Sequence, residues 1–199
     1  MIELIFLTLY RFVSGLQNGL GYSQNDFQPL ATVALILSTL ALGVYAWFIP
    51  LSILLKVVAT LLALASAASA LMVQLSFRPI PDLPIFDVHF WETLTTAFVT
   101  LAWIFLGGNI LLIVASVYPG LILHKAMVNV FTGNPFFYQG TNDPTGRTFD
   151  LPVLGVVVFR GSNQWRLMLT LFSLILVAMT LLNGWVVSIH PFRIDLFGA

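Results

Sequence analysis

The chain has 199 residues, 59% of them apolar and only 8% charged, against roughly 45–50% and about 25% in ordinary soluble domains. Eight Lys and Arg balance eight Asp and Glu, which leaves neither a basic field for nucleic acid nor a polybasic patch for anionic lipid heads. With no cysteine, the sequence has no disulfide, thiolate ligand or thiol nucleophile, and its composition is that of an integral membrane protein.

Residues 1–29 open with "MIELIFLTLYRFVSGLQNGL". This is a poor signal peptide: no basic region precedes the apolar stretch, Arg11 falls inside it, and no small-residue cleavage site follows. On a helix, Glu3, Thr8, Arg11, Ser14 and Asn18 fall on one side, and Ile5, Phe6, Leu9, Phe12, Val13 and Leu16 cover the rest. The expectation is an amphipathic helix and linker, the helix lying in the membrane interface with its polar stripe outward. The alternatives are a stripe turned toward a partner and a fifth span.

Residues 30–77 are apolar except at Pro50 and Lys56. About 20 residues cross the hydrocarbon core, so this run is too long for one span and reads as a transmembrane hairpin turning at Pro50. Its second arm contains "ALASAASA" at residues 63–70. Such a small-residue surface lets helices approach closely, so Ala63, Ala67 and Ala70 are expected packing positions.

Residues 78–90 form a short outer loop leading into "DVHFWE". Asp87, His89 and Glu92, with His190 from the end of the last span, are the candidate metal ligands, since oxygen and imidazole donors suit several divalent metals. No metal is expected, because spacings of two and three do not share one helical face. Asp87 reads instead as a helix cap, and Phe90 and Trp91 as headgroup anchors.

Residues 91–123 are expected to be one long transmembrane helix. The apolar run is long enough that the helix must tilt, kink or project, with Gly107 and Gly108, or Pro119 and Gly120, as candidate breaks. Gly107, Gly108, Asn109 and Asn183 are further packing positions, the two asparagines through interhelical hydrogen bonds. No ionisable residue falls in the middle of a run, which argues against a pump or ion-coupled transporter.

Residues 124–165 are an extramembrane loop of roughly 40 residues before the last helix, dense in turn formers. "GTNDPTGRT" departs from a phosphate loop in its glycine spacing and in having Arg147 where a lysine is required. The apolar stretch 151–159 is too short to span as a helix, so it reads as a strand, a re-entrant element or a docking segment. Its backbone needs partners, which makes Leu151, Val153, Val156 and Val158 expected contacts with another subunit. Residues 166–190 are an ordinary transmembrane helix, and 191–199 a C-terminal tail.

The expected fold is an all-α integral membrane protein: four transmembrane helices, an N-terminal amphipathic helix and the long loop. Four spans place Lys56, Lys125, Arg147, Arg160 and Arg166 on one side and Arg11, Arg78 and Arg193 on the other. The excess marks the first side as cytoplasmic or its organellar equivalent, with both termini on the outer side. The expected role is that of a non-catalytic structural or assembly subunit of a bioenergetic, secretion or conjugation complex, in a plasma (inner) or organellar inner membrane. Its partners would be other membrane subunits and the bilayer, with no nucleic acid and no cofactor. One alternative is a channel or carrier for an apolar or weakly polar solute lined by Asn109 and Asn183. The other is a metal-, haem- or pigment-binding protein using His89 and His190.

Overall fold

A computed structural model describes residues 1–77, 88–136, 148–153, 156–188 and 194–195. Among these are six helices: α1 (Ile2–Tyr22), α2 (Gln28–Tyr45), α3 (Ile53–Phe77), α4 (Val88–Phe105), α5 (Ile110–Phe131) and α6 (Asn163–Asn183). Strands β1 (Thr148–Val153) and β2 (Val156–Ser162) pair antiparallel, as do the short β3 (Val186–Val187) and β4 (Ile194–Asp195).

Contacts between side chains fix the helix directions. Glu3 bonds to Asn109 just before α5, Arg11 lies against Gly120, and Gly19 meets Met127, so α1 and α5 run parallel along their whole length. Asn18 reaches Glu92 near the start of α4, whereas Phe6 packs on Trp103 near its end, so α4 runs against α1. The pairs Tyr10 with Ser66 and Gln17 with the Ala70 carbonyl make α3 parallel to α1. α6 packs on α5 and delivers Trp185 to Asn109, so it runs against α5. Successive helices therefore alternate in direction, and α1 lies among α2, α3, α4 and α5.

Three helices, α2, α3 and α5, are long and apolar enough to cross a membrane. The distribution of side chains suits that solvent. Leu37 and Val44 on α2, Leu61 and Leu71 on α3, and Leu171 and Phe172 on α6 face outward. Ser14, Gln17, Asn18, Thr32, Thr39, Ser66 and Thr95 are buried. An apolar exterior and a polar, internally hydrogen-bonded interior are what lipid favours, because polar groups must find partners inside the bundle.

The hairpin of residues 30–77 appears as α2 and α3, with Pro50 in the turn. Other expectations are corrected. Residues 91–123 are not one helix: α4 ends at Phe105 and α5 begins at Ile110. Gly107 adopts φ +80°, a conformation that costs side-chain-bearing residues but not glycine. The Asn109 side chain then caps α5 by accepting from the Leu111 N–H. Pro119 does not break α5, which continues through it to Phe131, well past the residue 123 boundary. The last helix stops at Asn183 instead of reaching residue 190, as Gly184 takes φ +65° and the chain turns into β3.

Within the expected loop, β1 and β2 form a hairpin, with Leu151 opposite Phe159 and Val153 opposite Val156. Their backbones serve one another, so an outside partner is not required on that ground. The side chains of Leu151, Val153, Val156 and Val158 lie outside the described residues.

Candidate functional site

The polar stripe of α1 points into the bundle, not toward the interface as expected. Glycines make this approach feasible. A Cβ on Gly15 would overlap the carbonyl oxygen of His124 and come within 2.6 Å of its Cα, and one on Gly19 would lie 2.9 Å from the Met127 oxygen. On the facing helix, a Cβ on Gly120 would lie 2.9 Å from Arg11 Cγ. Without these side chains α1 and α5 come into backbone contact, as small residues permit where lipid supplies no hydrophobic drive between helices. Arg11 is thereby laid across α5 toward α4.

Its guanidinium meets Glu92, with Nη1 3.5 Å from Oε1. Asn18 donates from Nδ2 to Glu92 Oε2 at 2.9 Å, and His124 Nε2 lies 3.0 Å from Oε1. His89, one turn before Glu92 on α4, places Nδ1 3.6 Å from Oε2, and its Nε2 lies 3.5 Å from Tyr22 Oη. Side-chain exposure separates the members. Arg11, Glu92 and His124 retain 19%, 13% and 9%, whereas His89 retains 48%. A carboxylate taken out of water is costly unless it is paired and its lone pairs are used. Here α1, α4 and α5 each supply part of its shell. Two buried atoms in this cluster, Asn18 Oδ1 and His124 Nδ1, have no hydrogen-bond partner among the described residues.

A second network continues from the same stripe. Gln17 donates from Nε2 to Thr32 Oγ1 at 2.7 Å and to the Ala70 carbonyl at 2.9 Å, tying α1 to α2 and α3. Tyr10 Oη lies 2.9 Å from Ser66 Oγ, and Ser66 donates to the Thr95 carbonyl at 2.8 Å, tying in α4.

At the opposite end of α1, Glu3 accepts from the N-terminal ammonium at 2.9 Å and from the Asn109 N–H at 3.0 Å. Asn109 also donates to the Trp185 carbonyl at 2.9 Å and accepts from the Val187 N–H at 3.2 Å.

The expected site residues fare unequally. Glu92 moves from the wet end of a helix to the centre of a buried cluster, with His89 beside it. Asp87 and His190 lie outside the described residues. Among the described residues no group of three or more histidines and carboxylates is arranged to hold a metal. Ala63, Ala67 and Ala70 are buried on α3, and Ala63 packs against Gly43 of α2. Gly107 makes the α4–α5 turn, while Gly108 is buried against the Trp103 carbonyl and Glu3. Asn109 clamps three segments. Asn183 is exposed at the end of α6.

Arg11, Asn18 and His124 were not among the expected site residues. Their signal was in the sequence: an arginine inside an apolar stretch, aligned with Asn18, needs an anion if that face turns inward. At the membrane interface Arg11 would be solvated and need no counter-ion; inside the bundle it does. No family model, no characterised protein sequence and no solved structure matches the chain.

Proposed function

We propose that the chain is a non-catalytic, multi-pass subunit of a larger membrane assembly of the bioenergetic, secretion or conjugation kind. The observation that carries this reading is α6. Among the helices it packs extensively against α5 alone, and it turns Leu167, Met168, Leu171, Phe172, Leu174 and Ile175 outward. A helix held on one side at the edge of a bundle offers a long surface for another membrane helix. The alternating directions extend the reading to six crossings, because α1 at 21 residues is about 31 Å long, close to the thickness of the hydrocarbon core. Lys125 in α5 and Arg166 in α6 then lie toward one end, and Lys56 toward the other. The Lys125 end is the cytoplasmic or equivalent side, with Ile2 and Val187 opposite. Extraction of native membranes in mild detergent, followed by native electrophoresis and mass spectrometry, tests the role. A large particle of fixed composition supports it, and migration alone or as a small homo-oligomer rejects it.

The second reading, a channel or carrier for a weakly polar solute, is favoured by the Glu92 cluster. Ionisable groups inside a membrane bundle are costly and mark pathways by default. This replaces the lining expected from Asn109, whose side-chain groups are engaged in the clamp, and from exposed Asn183. Purified protein in liposomes would transport solute without partners on this reading, and Glu92→Gln would abolish transport.

A further inference from the structure

We propose that Glu92 and His124 form a buried proton-exchange site, loaded from the Tyr22 end of the bundle through His89. The proposal holds whether the chain is a subunit or a carrier, since it concerns the ligand of the buried cluster and not the chain's partners.

Three observations converge on it. The carboxylate and the imidazole are 3.0 Å apart and nearly enclosed, so adding a proton to either changes the charge of both as a unit. His89 stands between this pair and the surface: it is half exposed, one of its ring nitrogens faces Tyr22 Oη, and the other faces Glu92 Oε2 at 3.6 Å. His124 Nδ1 and Asn18 Oδ1 are buried and unpartnered among the described residues, so the cluster retains hydrogen-bonding capacity that a purely structural ion pair would have used. Among the described residues, the charged and titratable groups facing Glu92 are Arg11 from α1, His89 from α4 and His124 from α5. Arg11 cancels the carboxylate's charge when the site is empty of its extra proton. It has no proton to exchange itself, because a guanidinium does not deprotonate in proteins.

The transfer balances with the groups present. Hydronium at the bundle end protonates Nε2 of a His89 that carries its hydrogen on Nδ1, leaving water and an imidazolium. Its Nδ1–H bond breaks as an O–H bond forms on Glu92 Oε2, and His89 returns to the neutral ring. Glu92 Oε1 continues to face His124 Nε2, and the pair holds the proton together. The 3.6 Å separation shortens to hydrogen-bonding distance with a small rotation of an exposed side chain, the kind of adjustment that precedes proton transfer.

The test is proton uptake by the purified full-length chain in detergent after a rapid drop in pH from mildly alkaline to mildly acidic, followed with an indicator dye. Glu92→Gln and His124→Gln are each expected to take up one proton fewer per chain than the wild type. Each substitution removes one of the two groups between which the proton is held. His89→Phe is expected to lose its own fast surface proton and to slow the remaining uptake by the pair at least tenfold. Circular dichroism identifies any variant that does not fold, and His89→Phe, altered at a half-exposed position, keeps the test decisive if both core variants fail. Uptake unchanged in a folded Glu92→Gln or His124→Gln protein overturns the proposal. So does an unchanged rate for the pair in His89→Phe.

Discussion

His124 on α5 and Glu92 on α4 meet at 3.0 Å between Nε2 and Oε1, toward the ends of two antiparallel helices that lie away from the turn joining them. The contact exists because α1 lies alongside both, contributing Arg11 and Asn18 to the same carboxylate. Three helices are thus held by one side chain, and the stability of the bundle should be sensitive to it.

Replacing Glu92 with leucine leaves Arg11 buried without a counter-ion. The expected loss is about 3–5 kcal/mol, the cost of stranding one member of a buried pair. Replacing both residues with leucine removes the stranded charge, so the double variant should recover most of that loss. Thermal denaturation in detergent of the wild type, both single variants and the double variant measures this. A double variant as unstable as the sum of the two singles would show that the residues act independently.

Gly15 and Gly43 should respond oppositely to alanine. A Cβ at Gly15 meets the backbone of His124, which cannot move aside without separating α1 from α5, so a loss of about 1–3 kcal/mol is expected. At Gly43 the nearest atom to a new Cβ is the Ala63 Cβ at 3.5 Å, an ordinary contact. The helix gains about 0.5–1 kcal/mol from the lower backbone entropy of alanine. The same melting assay reads both, and equal shifts would contradict the α1–α5 packing.

Asn109→Ala removes a helix cap and the bonds to Trp185 and Val187 together. The expected cost is about 2 kcal/mol, one term from the cap and one from the remaining hydrogen bonds. Limited proteolysis should then cut after α6 sooner than in the wild type. Loss of solute transport with unchanged stability would return Asn109 to a lining role.

The position of α1 can be tested directly because the chain has no cysteine to remove. Single cysteines at Ile2 and Ser23 mark the two ends of α1. A crossing helix exposes them on opposite sides of sealed vesicles, and an interfacial helix exposes both on the same side. Labelling with a membrane-impermeant maleimide separates these outcomes.

The sequence by itself determined the physical class of the protein and the α2–α3 hairpin. Those follow from the length of an apolar run against the thickness of a membrane and from a proline, Pro50, falling where the first span has to end, both local properties. It also contained both candidate breaks in residues 91–123. Only the tertiary structure decided between them: Gly107 could take φ +80° where the turn is needed, whereas Pro119 is accommodated within α5. The direction in which α1 faces was likewise beyond local reading. One stripe of Arg11, Ser14 and Asn18 suits headgroups and a polar core equally well. Arg11, Glu92 and His124 come from three different helices, and the convergence of Arg11 and His124 on Glu92 depends on glycines that let α1 and α5 touch. A buried charge is stable only beside its counter-charge, and where that counter-charge sits is a property of the fold.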